Sequence, residues 1–171
     1  MRKYIIAGNW KMNKTKDEGL ALVKQLIELS KDIKNVDIVV GVPSVLVDSI
    51  SNLTNGTNIE VAAQNLYPAE NGAFTGELSP SMLISVGAKY VILGHSERRE
   101  YFNETDEFIN SKIKIALKHN LKPILCIGEN LEERKSGKLE LVIKQQITLG
   151  LAGLTKEDME SIIIAYEPIW D

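Results

Sequence analysis

The sequence is poor in cysteine and has no long apolar run, and each shortage excludes a class of protein. Its single cysteine, Cys126, excludes an intramolecular disulfide and a cysteine-rich metal site. It lies in the apolar run Ile124–Ile127, where a small buried side chain is the simpler interpretation. No stretch approaches the ~20 apolar residues of a bilayer-spanning helix, and the N-terminus has no long apolar signal core. We therefore expect a cytoplasmic protein with no membrane partner.

An excess of charge of one sign is also missing. The 20 basic and 23 acidic residues give a net charge of −3, and basic clusters such as Glu97–Arg99 contain acids as well. Such clusters indicate solvated faces or salt bridges, and no interleaved aromatics support a nucleic-acid partner. His95 and His119 lie on different predicted elements without ligand-spaced companions. We therefore expect no metal and no organic cofactor.

Short apolar runs alternate with amphipathic segments along all 171 residues. The runs are nearly continuous in Ile, Val, Leu and Ala, which is typical of parallel strands buried on both faces. They are Tyr4–Gly8, Val36–Gly41, Ile59–Ala63, Tyr90–Gly94, Pro123–Ile127 and Ile162–Tyr166. With 44% hydrophobic residues and no linker, the chain is predicted to form a single α/β domain over residues 1–171 that ends on a sixth strand.

Helix start signals separate these runs. Thr15-x-x-Glu18 has the form of a capping box, and Ser79 precedes a proline at the first helical position. Thr105 precedes a helix predicted to run to about His119. Thr155, three residues before an aspartate, predicts a further short helix before the last strand.

Polar side chains stand at the tips of three predicted strands. Asn9 and Lys11 follow the first strand, His95 follows the fourth, and Glu167 ends the sixth. Because ligands bind at the carboxyl ends of parallel strands, these groups could converge on a small anion, with Glu167 moving a proton. Each also has a simpler role: Asn9 as a turn cap, His95 as a structural imidazole, and Glu167 as a solvated carboxylate.

Several segments together resemble the triosephosphate isomerase family, in order and over the whole chain. They are Ala7–Asn13, Ala63–Asn65, Gly72–Glu77, Gly94–Arg99, Cys126–Glu129 and Ala165–Trp170. The resemblance implies a glycolytic and gluconeogenic isomerase that interconverts glyceraldehyde 3-phosphate and dihydroxyacetone phosphate. It also implies a fold of eight β/α units, of which this sequence holds six.

The resemblance also implies site roles. Glu167 would be the base that shuttles a proton between adjacent carbons, and His95 a neutral electrophile at a helix start. Lys11 and Asn9 would steady the enediolate and the phosphate. Ser96 would hold Glu167 before substrate binds.

Further family positions concern support and assembly. Glu97 would support Lys11 or His95, and Arg98 would pair with Glu129. The loop from Gln64 to Glu77 would dock into a sister subunit through Phe74, Thr75 and Gly76. A homo-oligomer, at least a dimer, is therefore expected.

The sequence departs from the family after the sixth strand, where relatives continue into a lid and phosphate-binding loops. We expect an incomplete (β/α)8 barrel of about six parallel strands, or a rearranged, open flavodoxin-like sheet. Loss of neighbouring strands is expected to uncover Ile6, Val40 and Ala62. Activity is then expected to be very weak or absent. The alternatives are a catalytically silent, self-assembling truncated barrel, or a weak phosphate- or sulfate-binding protein.

Overall fold

The computed structural model describes residues 4–169, which contain the six predicted strands. The strands are β1 (Tyr4–Asn9), β2 (Val36–Val42), β3 (Ile59–Ala63), β4 (Tyr90–Leu93), β5 (Lys122–Ile127) and β6 (Ile163–Tyr166). The helices are α1 (Lys16–Ser30), α2 (Ser44–Thr54), α3 (Pro80–Ser85), α4 (Ser96–Tyr101), α5 (Asp106–Lys118), α6 (Leu131–Lys135) and α7 (Leu139–Gly150). The predicted β-α alternation is confirmed.

The predicted helix starts are confirmed at three positions. The backbone N–H of Thr15 donates to Glu18 Oε2 at 2.8 Å, which forms half of the capping box before α1. Ser79 Oγ and Thr105 Oγ1 each accept from the backbone N–H three residues later, at 3.3 and 3.2 Å. Each contact satisfies a donor that the first helical turn leaves unpaired.

The fourth start signal produces a shorter element than expected. Thr155 and Asp158 exchange hydrogen bonds of 2.8 and 3.2 Å. The chain then forms only a 3₁₀ turn over Asp158–Ser161 before β6. The cap is present, but the residues after it wind into the tighter 3₁₀ form and not into an α-helix.

Contacts divide the chain into two compact units, residues 1–91 and 92–171, with the boundary inside β4. In the first unit, β1, β2 and β3 pair in sequence order, and the start of β4 pairs with β3. All these pairs are parallel. Helices α1 and α2 pack against each other, and α2 packs on β3.

The core of the first unit is aliphatic. Val23, Val42, Val47 and Ile50 are fully buried. This burial is the main source of stability for an α/β unit.

The predicted uncovering of the strands occurs at β1, and also at β6, where Ile164 and Tyr166 are 39% and 50% exposed. Ile6 is 65% exposed, as expected, and Tyr4 is 80% exposed. Val40 and Ala62, by contrast, are only 4% and 0% exposed, so that part of the prediction is wrong. The reason is that β2 and β3 have a paired strand on each side, whereas the described contacts of β1 pair it with β2 alone.

In the second unit, β5 and β6 pair in parallel, with Cys126 opposite Ala165 and Ile127 opposite Tyr166. Helices α5 and α7 pack together, and α5 packs on β5. Ile109, Ile113 and Leu125 are completely buried. This register fixes where the chain leaves β6, and therefore where Glu167 lies relative to the end of β5.

Candidate active site

In the first unit, the polar tip of β1 is a tight turn. Asn9 Oδ1 accepts the backbone N–H of Lys11 at 3.0 Å, and Lys11 has a φ of 53°. A lysine rarely adopts this left-handed conformation, which costs about 1–3 kcal/mol and needs support from its surroundings. The simpler role foreseen for Asn9, as a turn cap, is therefore present, and it also fixes the direction of Lys11.

Gln64 provides that support and was not identified as a site residue from the sequence. Its Nε2 lies 2.9 Å from Lys11 O, 3.2 Å from Asn9 Oδ1 and 3.2 Å from Gly41 O. One amide group therefore ties the turn after β1 to the end of β2. In the sequence, Gln64 stands one residue beyond the end of β3 and within Ala63–Asn65, one of the segments that resemble the family.

In the second unit, His95 caps helix α4. Its Nδ1 accepts the backbone N–H of Glu97 at 3.3 Å, and the residue is only 8% exposed. The Glu97 carboxylate lies 3.4 Å from the same nitrogen. We assign Nδ1 as the acceptor, because the backbone N–H at a helix start needs a partner, whereas the half-exposed carboxylate of Glu97 can turn to water. In the neutral form of the ring, this contact places the proton on Nε2.

Glu167 directly follows β6, and its side chain is exposed. Its backbone N–H donates to Ile127 O at 3.0 Å, which continues the β5–β6 pairing by one residue. Glu167 and Ser96 line one small cleft of about 10 Å³, together with Cys126 and Gly128. Among the described contacts no hydrogen bond joins Ser96 to Glu167, so the holding role of Ser96 stays a prediction.

The lone thiol of Cys126 lies in the same cleft. Burial, and secondly the negative charge of Glu167, raise its pKa to about 12, while Arg99 opposes this shift. At neutral pH the group is therefore a protonated thiol and a poor nucleophile. This agrees with its predicted role as packing.

Arg99 joins the ends of two strands. Its guanidinium donates to Gly94 O at 2.7 Å, to Asp106 Oδ1 at 2.6 Å and to Cys126 O at 3.3 Å. These bonds connect the end of β4, the start of α5 and the end of β5. The sequence left two interpretations of the basic cluster Glu97–Arg99, a solvated face or salt bridges. Arg99 forms a salt bridge, with Asp106.

The prediction that Arg98 pairs with Glu129 is wrong. Arg98 Nε lies 2.7 Å from Glu104 Oε1, because the turn after α4 places Glu104, six positions later in the sequence, next to Arg98. Glu129 is fully buried and instead accepts from the Tyr166 hydroxyl at 3.0 Å, with Arg134 Nη1 at 3.4 Å. The Glu129 carboxylate thus holds the residue just before Glu167.

The predicted interface residues lie on an exposed loop of the first unit. Phe74, Thr75 and Gly76 are all exposed, and the Phe74 ring packs on Tyr67 with 4.3 Å between ring centroids. Gly76 has a φ of 92°, which favours glycine. The loop is therefore structured by its own contacts and presents its tip to solvent.

Within residues 4–169, no three His, Cys, Asp or Glu side chains are grouped so as to hold a metal ion. In the same range, no helix has the length and apolar character needed to cross a bilayer.

Comparison with known proteins decides the family. The sequence model of one family, described as triosephosphate isomerase, matches residues 4–171. The chain belongs to the triosephosphate isomerase family. The resemblance stated from the motifs is thereby confirmed.

Individual members of the triosephosphate isomerase family agree with this assignment. The chain is 54% identical to triosephosphate isomerase of Fusobacterium nucleatum and 57% identical to that of Clostridium botulinum, in each case over 99% of this chain and 68% of the relative. A crystal structure of triosephosphate isomerase from Bartonella henselae superposes with a TM-score of 0.92 at 36% identity, covering 99% of this chain and 70% of that one. The predicted fold, a (β/α)8 barrel architecture represented by six parallel strands, is confirmed. The chain spans about two thirds of the length of these relatives.

Proposed function

We propose that this chain interconverts glyceraldehyde 3-phosphate and dihydroxyacetone phosphate by proton transfer through an enediolate, in the cytoplasm. Family membership supports the reaction type. The observation that carries the proposal is the placement of Glu167, an exposed carboxylate one residue beyond β6 in the cleft lined by Ser96. A base must reach a carbon-bound proton while its main chain stays fixed, and the hydrogen bond from Glu167 N–H to Ile127 O serves that purpose.

The other roles follow the chemistry of each group. A neutral His95 with its proton on Nε2 can donate to a substrate oxygen without carrying a charge itself. The Lys11 ammonium would stabilise the negative charge of the enediolate and the phosphate, and Asn9 orients the turn that bears it. Glu97, beside His95 Nδ1, would help to hold the imidazole in place.

We propose that a polypeptide of these 171 residues is a slow catalyst. It matches 68% of the Fusobacterium relative, and by resemblance the remaining third of the family fold carries the lid and the phosphate-binding loops. In a polypeptide that lacks them, the phosphate would contribute less binding energy and water would reach the enediolate. Binding of triose phosphate, phosphate or sulfate is therefore expected to be weak.

The direct test is turnover of glyceraldehyde 3-phosphate by the purified chain beside Glu167→Gln. We expect measurable turnover that falls at least about 100-fold in the variant, because the base is lost. Equal rates for the two proteins would refute the assignment of Glu167.

We also propose a homodimer formed through Phe74, Thr75 and Gly76. An exposed, internally braced loop tip supports this, since ordered loops of this kind lose little entropy on docking. Sedimentation velocity should show a dimer that Thr75→Arg converts to monomer. A monomeric parent protein would contradict the proposal.

The exposed apolar side chains of β1 favour a second candidate function. Tyr4 and Ile6 are 80% and 65% exposed on a strand whose described pairing is with β2. Such a strand edge invites pairing with another copy of the chain. A catalytically silent, self-assembling module would show assembly that Ile6→Lys abolishes, together with turnover no higher than that of Glu167→Gln. A simple anion-binding protein would instead show phosphate-dependent thermal stabilisation that Lys11→Met removes.

A further inference from the structure

We infer that Gln146 is a positioning residue for Glu167 and acts through the backbone of Gly128. The inference rests on the proposed role of Glu167 as the base. It concerns a glutamine on α7 that does not line the cleft, and whose side chain makes both of its described hydrogen bonds to a single residue.

The Gln146 carboxamide forms a two-bond clamp on Gly128. Its Oε1 accepts the Gly128 N–H at 2.9 Å, and its Nε2 donates to Gly128 O at 3.1 Å. Gln146 is only 9% exposed, and the two residues are 18 positions apart in sequence. A buried pair of this kind fixes the two peptide groups on either side of Gly128, because one rigid amide satisfies both.

Gly128 in turn lies directly against the backbone of Glu167. A Cβ on Gly128 would overlap the carbonyl oxygen of Glu167, so the two backbones are in closer contact than any side chain would allow. The residue before Gly128, Ile127, accepts the Glu167 N–H at 3.0 Å. The position of the peptide groups around Glu167 therefore depends on the backbone of residues 127 and 128. Gln146 holds that backbone in place through Gly128.

A role in apolar packing alone does not explain the choice of glutamine. Gln146 lies on the buried face of α7, which it shares with Gly150 four residues later. An aliphatic residue at position 146 would contribute packing without the cost of burying a polar amide. Burial of an amide is tolerated only when its bonds are made, and these bonds orient the strand end next to the base. The specific contribution is therefore geometric.

The test compares Gln146→Met with Gln145→Met, its exposed neighbour on the same helix. Methionine keeps the length of the side chain and removes both hydrogen bonds. For Gln146→Met we expect kcat to fall about 10-fold with KM within about 2-fold of wild type, since small displacements of a base affect chemistry more than binding. Amide hydrogen exchange at Glu167 should accelerate by a similar factor, with Ile164 in β6 unchanged. Gln145→Met should match wild type in every measurement.

Wild-type kcat and wild-type Glu167 exchange in Gln146→Met would overturn the inference, as would equal defects in the two variants. If Gln146→Met does not fold, Gln146→Asn decides, because its amide is one methylene too short to reach both groups of Gly128. If the parent chain shows no turnover above Glu167→Gln, the proposed function fails. The exchange rate at Glu167 still tests the clamp in that case.

Discussion

The two compact units bury different kinds of polar group. Among residues 4–169, the buried polar side chains of the first unit are the hydroxyls of Ser30, Thr54 and Ser79. The second unit buries ionisable groups and amides instead. They are His95, Glu104, Asp106, Asn110, Lys112, Glu129 and Gln146.

This difference separates two ways of fixing a candidate site residue. In the first unit, Lys11 is held by hydrogen bonds at the surface, where water can replace a lost partner. In the second unit, Glu167 follows a strand whose neighbours are tied by buried charges and amides, which water does not reach. Burial makes each such bond more directional and makes each unpaired group more costly. Such buried charges and amides contribute little net stability, and they fix the geometry around Glu167.

The largest expected effect is the loss of a buried cation from the second unit. Lys112 is 1% exposed, and its Nζ lies 2.6 Å from Glu104 Oε1, the same oxygen that Arg98 contacts. We expect Lys112→Met to lower the free energy of unfolding by about 1.5–3 kcal/mol, because Glu104 loses one of its two cationic partners and keeps only Arg98. Denaturant melts measure this. Lys114→Met, at an exposed position of the same helix, is the control, and an equal loss in both would show that the burial of charge is not the cause.

The next effect concerns the contact between Gly128 and Glu167. We expect Gly128→Ala to reduce turnover about 100-fold, because the new methyl group must displace the backbone of Glu167 by an appreciable fraction of an ångström or more. The measurement is kcat on glyceraldehyde 3-phosphate. Gly137→Ala, in the turn between α6 and α7, serves as the control. Gly137 also has a backbone conformation that favours glycine, with a φ of 71°, but no atom lies within 4 Å of the new methyl group. Unchanged turnover in Gly128→Ala would show that the close contact does not position the base.

A smaller effect is expected for a buried hydroxyl of the first unit. Ser79→Ala removes the acceptor for the Met82 N–H at the start of α3 and should cost about 1 kcal/mol of unfolding free energy. Ser85→Ala, which loses an exposed bond to Met82 O, should cost less. Thermal melts compare the two variants. A loss for Ser79→Ala that approaches that of Lys112→Met would break the contrast between the units.

The smallest effect is a change in the titration of Cys126. Its pKa is raised from 9.0 to about 12, so the folded state disfavours the thiolate, and stability should decline as the pH rises from about 9 to 12. Glu167→Gln removes a negative charge and should move the alkylation profile of the thiol to lower pH. The movement should be modest, because burial is the larger cause. An unmoved profile would indicate that the carboxylate does not face the thiol.

Most of the fold was predictable because its signals are local. Continuous Ile, Val and Leu runs located each strand to within one residue at either end, and the caps at Thr15, Ser79 and Thr105 located three helices. The side chains of β1 are more exposed than those of β2 and β3, and this difference depends on which strands pair with another strand on both sides. That is a property of the assembled sheet and has no signal in the apolar runs themselves.

Candidate site residues could be proposed from the sequence only where a residue stands at a strand tip. Asn9, Lys11, His95 and Glu167 were proposed in this way, and the structure places each at or just beyond the end of a strand. Gln64 was noted only as part of a family segment, and Gln146 was not noted. Their partners lie as far as 55 and 18 positions away and are mostly backbone atoms, so the sequence does not indicate what either side chain contacts.

The partner of Arg98 was missed for a different reason. The family resemblance suggested the distant Glu129, whereas the turn after α4 brings Glu104 within reach. A local carboxylate therefore takes the place of the one expected from the more distant strand end.

The most direct test of proton transfer by Glu167 is hydrogen exchange at carbon. Dihydroxyacetone phosphate is incubated with the chain in D₂O, and deuterium in the substrate and its isomer is followed by NMR. We predict deuterium incorporation well above the buffer rate for the parent chain, reduced for Gln146→Met and lost for Glu167→Gln. Incorporation at the buffer rate by the parent chain, or undiminished incorporation in Glu167→Gln, would contradict the assignment of Glu167 as the base.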